Sequence, residues 1–314
     1  MSLSAVLAAL DLLDSAHVTG RAVADALGAA GLETVTVTTL AGPRGTTDAL
    51  RAVIPGTEGR RAGGGAPTLG IIGRLGGIGA RPDQIGLVSD ADGAVTAVAS
   101  ALKLARMRRE GDALPGDVII ATHICPRAPV RPHEPVPFMA SPVDQPTLNR
   151  EEVSPEMDAI LSIDTTRGNR VINRRGFAIS PTVKAGWILR ASEDLLDIQQ
   201  IVTGQLPVVF PIAMPDITPY GNGLDHLNSI LQPSTATEAP VVGVALTSEV
   251  AVPGSATGAS QPTDIEQAVR FVIEVAKAFG RRRCRFHDPE EWDRIQQRYG
   301  PMTHLQTPGR TDQR

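Results

Sequence analysis

Aromatic side chains make up only 3% of this 314-residue sequence. So sparse a set argues against base-stacking platforms and aromatic-lined sugar clefts. Cysteine is scarce as well: Cys125 and Cys284 lie far apart and match no ligand-pair spacing. This excludes a disulfide scaffold and a zinc ribbon, and it fits a reducing cytoplasm. Excess charge of one sign is also missing, since 30 basic and 34 acidic residues are interspersed and leave a net charge of -4. No nucleic-acid partner is therefore expected. No apolar run approaches the length of a membrane span, so no membrane partner is expected either. The stretch MSLSAVLAALDLLDSAHVTG has no positive n-region, and Asp11 and Asp14 interrupt its leucines. It reads as an amphipathic helix, not a signal peptide.

What is abundant is glycine and proline, 31 and 25 residues, in a chain that is 42% hydrophobic. That combination implies shaped loops around an aliphatic core. Helices are expected near 3–14, from a Thr19 cap to Gly31, from a cap at Thr46 or Thr47 to Pro55, and over 92–109. Further helices are expected after Ser192, from about Leu224, and from a Thr263 cap with Glu266 in the capping-box position to Gly280. A β-branched strand is expected in ETVTVTTL, and buried strands in TLGIIG, Val118–Thr122, DAILSID and APVVGVAL. Alternating strands and helices predict an α/β fold, a three-layer mixed, mostly parallel sheet flanked by helices. The expected organisation is a single domain over 1–280 and a peripheral tail over 281–314. Within the domain, 126–155 carries eight prolines and reads as a long active-site loop without helix or central strand.

In such a sheet, sites open beyond the carboxyl ends of the strands. The residues that follow the apolar runs there include Asp90, His123 and Asp164, and one imidazole with two carboxylates is a plausible shell for zinc or manganese. Each has a structural alternative. Asp92 beside Asp90 suits a helix cap, His123 a hydrogen-bonded interior group, and Asp164 an Asx turn onto Thr166. Cys125, two residues after His123, is either an inert buried thiol or a nucleophile paired with His123 or His133.

The stretch SDADGAVTAVASALKLARMRREGDALPGDVIIA resembles the core of the co-catalytic zinc exopeptidases. The resemblance covers roughly residues 68 to 280 in architecture and implies that fold. By position it makes Asp90 the metal-bridging aspartate, with Gly93 three residues on, and Asp164 the next carboxylate ligand. The sequence departs from that pattern elsewhere. THICPR stands where the family has a Glu-Glu pair, GRLGG where it has His-x-Asp, and SEVAVPGSATGAS where it has a further histidine. A closer resemblance, carried by THICP, PHEPVPFM, DTTRGN, RRGFAISPTVKAGWI, TPYGNGLDHLNS and VPGSATGAS, is to a bacterial and archaeal family known only as domain of unknown function family 1177. It implies no activity.

Together these features predict a metal-dependent hydrolase of an amide bond in a small peptide or amino-acid derivative. Asp90, His123 and Asp164 would hold one zinc or manganese ion, and Glu134, or else His133, would take the proton. Arg74, Arg167, Asn222, His226 and Glu249 are candidate substrate contacts. The alternatives are a degenerate scaffold that binds such a ligand without turnover, and a Cys125-dependent amide hydrolase. A homo-oligomer is expected.

Overall fold

The computed structural model describes residues 2–134, 136–212 and 227–307. In chain order the elements are α1 (Ser2–Leu13), α2 (Gly20–Ala29), β1 (Thr34–Gly42), β2 (Gly45–Ile54), β3 (Leu69–Gly73), α3 (Asp92–Arg109) and β4 (Val118–Ile124). There follow β5 (Val130–Arg131), β6 (Phe138–Met139), α4 (Gln145–Glu152), β7 (Ala159–Thr166), β8 (Gly176–Ile179), β9 (Val183–Lys184) and β10 (Trp187–Ile188). The last are α5 (Glu193–Thr203), β11 (Val241–Thr247), α6 (Pro262–Gly280) and α7 (Pro289–Tyr299).

One mixed sheet runs β1-β2-β4-β3-β7-β11-β9-β10, with β8 also on β11. Its four central strands, β4, β3, β7 and β11, are mutually parallel, and the antiparallel pairs lie outside them. Every residue of β3, β4 and β11 is buried, as strands covered on both faces must be. Alternation sorts their side chains into two cores. Ile71, Ile120, Leu161 and Val244 join the core under α1, α3 and α6. Ile72, Ile119, Ile160 and Ala245 join the opposite one, with Ile230 and Leu231 of the short helix Ser229–Thr235. The result is three layers.

Helix α3 is buried along most of its length and carries two hydroxyls there. Thr96 and Ser100 bond back to the carbonyls of Asp92 and Thr96, each at 2.7 Å, so neither leaves a polar group unsatisfied. Gly93, at its start, lets the helix approach the sheet. A Cβ there would lie 2.4 Å from the Arg74 carbonyl oxygen and 2.7 Å from that of Ile163.

Four expectations change. The segment after Thr46 is the strand β2, because Gly45, at φ 126°, turns the chain back and pairs it along all of β1. The eight-proline segment contains α4, with Pro146 in its first turn, where no N–H is needed, and Asp144 accepting from Thr147 N at 2.8 Å. Asp90 sits on the single turn Ser89–Ala91 and not on a strand end, for Val88 makes only one bridge, to Thr257. The cap of α6 is Gln261, with Pro262 opening the helix, so Thr263 is already helical. Beyond Gly280, Cys284 and Phe286 reach into the larger core, while α7 stays on the surface.

Candidate functional site

Period-two alternation decides which polar groups meet. On β3 the face of Gly70 and Ile72 continues to Arg74. On β4 the face of Ile119 and Ala121 continues to His123, and on β7 that of Ile160 and Ser162 continues to Asp164. All three polar residues thus stand at the carboxyl ends of parallel strands, on the side covered by α4 and the 229–235 helix.

Arg74 is buried, and both terminal nitrogens of its guanidinium are engaged. It donates to Glu152 and Gln145, and to Asn149 Oδ1 at 3.1 Å. Residues 145, 149 and 152 lie on one face of α4. The other oxygen of Glu152 lies 3.2 Å from Nδ1 of His123, which is wholly buried. Burial alone would raise the Glu152 carboxyl. The attraction of Arg74, with the hydrogen bond and charge of His123, outweighs burial and holds it below the usual range. An ionised Glu152 can only accept, so Nδ1 of His123 is the donor, and among the described residues Nε2 has no hydrogen-bond partner. Arg74 and His123 are thus tied to α4 through Glu152.

Asp90 and Asp164 do share a cleft. They line a cavity of about 50 Å³ together with Arg74, Gly76, Met139 and Gly254. Gly76 N donates to Asp90 Oδ2 at 3.3 Å, and Asp90 N donates to the Gly254 carbonyl at 3.1 Å. Thr165 N donates to Asp164 Oδ1 at 2.7 Å, one residue earlier than the Thr166 expected of an Asx turn. The floor of the cleft is the β3 and β7 strand ends. Its outer wall is the β5–β6 hairpin, through Phe138 and Met139.

The remaining candidates are placed elsewhere. Arg167 donates to Asp92 at 2.6 Å and to the Ser89 carbonyl at 3.1 Å, so it steadies the start of α3. Asp92 does not cap α3. Burial raises its carboxyl, and Arg167 only partly opposes this. His133 and Glu134 are exposed on the β5–β6 hairpin, and Glu249 is exposed after β11. Asn222 and His226 lie outside the described residues.

Cys125 is 1% exposed, and burial pushes its thiol up to about 11. This opposes the thiolate that a nucleophile needs. Cys284 is likewise buried, its thiol pushed up to about 12. In folded protein at pH 8, 5,5′-dithiobis(2-nitrobenzoate) is expected to leave both unmodified, with two equivalents reacting on denaturation. Rapid modification of one thiol in the native state, lost in Cys125→Ala, would restore the nucleophile reading.

An α/β protein with a parallel centre and a carboxylate-lined cleft beyond its strand ends is the class that fold and site define. The sequence matches, over residues 38–309, the model of the family described as "Protein of unknown function (DUF1177)". The chain belongs to that family. A search of curated proteins finds no match. Among solved structures, the LapA aminopeptidase of Legionella pneumophila is similar at 13% identity and a TM-score of 0.45, over 88% of this chain and 70% of that one.

Proposed function

We propose that the cleft binds a small peptide or amino-acid derivative by its cationic end, with Asp90 and Asp164 as the anchors. The observation that carries this reading is the convergence of these two carboxylates, from segments 74 residues apart, in one small cavity. An ammonium there would exchange water for charge-assisted hydrogen bonds, about twice as strong as neutral ones. Arg74 does not compete for them, because its guanidinium is engaged by α4. With leucinamide as probe, Asp164→Asn is expected to weaken binding about tenfold or more by calorimetry. Equal affinity of variant and native protein would sink the proposal.

Hydrolysis of an amide bond in the bound ligand, assisted by a metal ion, is the second reading. It is favoured by His123, whose unpartnered Nε2 and carboxylate-held Nδ1 match the arrangement usual for a metal-ligating imidazole. Against it, His123 does not line the cavity of Asp90 and Asp164, and among the described residues no three His, Cys, Asp or Glu side chains form a metal-holding group. Two carboxylates fall short of a closed zinc shell. The expected trio therefore does not fit a metal as a set, and no chemical step is routed through one.

A further inference from the structure

A second cavity, of about 630 Å³, opens beside the first and shares Phe138, Ser141 and Gln145 with it. Its volume is that of a small-ligand site, which typically spans roughly 300–1,000 Å³. Ala140, Val143, Pro146 and Val153 give it an apolar wall. Among the described residues three cations face it: Arg44 from the β1–β2 turn, Arg131 from β5 and Arg150 from α4.

Opposing charge is scarce. Asp144 is the sole acidic lining residue among those described, and it is already engaged. The Thr147 hydrogen bonds that cap α4 hold its carboxyl below the usual range. Arg150 donates to Thr147 Oγ1 at 2.8 Å. Among the described residues, no hydrogen bond or ion pair engages the side chain of Arg44 or Arg131. Unpaired guanidinium groups over an apolar wall suit a ligand with an anionic group and an apolar body.

We propose that this cavity is an anion subsite, which makes the ligand dipolar. The carboxylate or phosphate is held by Arg44, Arg131 and Arg150, an apolar side chain lies against the wall, and the cationic end sits in the neighbouring cleft. The last part rests on the reading of Asp90 and Asp164 above; the arginine subsite does not.

Calorimetry on the full chain separates the two. The probes are leucyl-leucine, its C-terminal amide, N-acetyl-leucyl-leucine and phenyl phosphate. Leucyl-leucine is expected to bind about tenfold or more tightly than its amide, and the double variant Arg44→Ala/Arg131→Ala to erase that preference while leaving the amide unaffected. Both arginines are exposed, so the variant spares the core. A preference for the free carboxylate that survives in the double variant would overturn the subsite, whatever Asp164→Asn does. N-acetyl-leucyl-leucine binding as tightly as leucyl-leucine, with Asp164→Asn silent, would remove the ammonium reading and leave the subsite standing. Phenyl phosphate binding more tightly than N-acetyl-leucyl-leucine, and losing that affinity in the double variant, would support the subsite and assign it to phosphate. Failure of all four probes to bind would overturn the proposal.

Discussion

Replacing Glu152 with alanine is expected to cost about 3–5 kcal/mol of folding stability, the range found when one partner of a buried ion pair is removed. Arg74 and Glu152 are 3% and 1% exposed, so neither group can turn to water when the other is lost. The same change leaves His123 Nδ1 without its acceptor and unties α4 from the ends of β3 and β4. Urea denaturation measures the loss; a change under about 1 kcal/mol, typical of exposed pairs, would mean the network is not the clamp described.

A pH dependence follows from the same group. Its folded value lies below its unfolded one, so its contribution is present above the ordinary glutamate value, about 4.3, and is lost as pH falls through the folded value. Asp92 acts in the opposite sense, being raised: its contribution is present at low pH and lost as pH rises through its folded value. Glu152→Gln should therefore flatten the acid limb of the stability profile, as measured by urea denaturation across pH.

The second large effect is expected at Gly93. Alanine is the better helix former by about 1 kcal/mol, and in an open helix it would stabilise. At Gly93 its Cβ would instead meet two backbone carbonyl oxygens, at 2.4 and 2.7 Å, and backbone cannot rotate away as a side chain tip can. Gly93→Ala is expected to destabilise by about 1–3 kcal/mol or more and to weaken ligand binding, since it pushes α3 off the strand ends that carry Arg74 and Asp164. Gly28→Ala is the control. That glycine lies exposed in α2 with nothing within 4 Å of the added carbon, and about 0.5–1 kcal/mol of stabilisation is expected there. Thermal denaturation of the two variants checks both signs; stabilisation at both positions would show that α3 has room to shift.

Much of the architecture was legible because the central strands and α3 carry strong patterns. LGIIG, VIIA and VVGVAL are buried on both faces and read as parallel strands. Strand β2 was not legible. GTTDALRAVI has a helix-like cap signal, and only pairing with β1 decides against it. In the site, Arg74, Asp90 and Asp164 could be picked out as residues that follow apolar runs. Glu152 could not, since the surrounding prolines hide the helix that presents it. Its signal was the 145, 149, 152 spacing after a possible Asp144 cap. The expected strand stopped at Thr122, one residue short of His123; β4 continues through Ile124, and the ring is buried.

The cleft's two sides differ in what it takes to separate them. The floor is held by the parallel ladders of β3 with β7 and β4, so its amides open only with the central sheet. The outer wall is held by a two-residue ladder, Val130 with Met139 and Arg131 with Phe138, and by Ala140 N to the Pro129 carbonyl at 2.9 Å. In the language of amide exchange, the floor is expected in the globally protected class and the wall in the locally opening one. For a ligand bound as proposed, admission and release would therefore take place at the free energy of a short hairpin, while Asp164, on β7, stays fixed at the free energy of the whole fold.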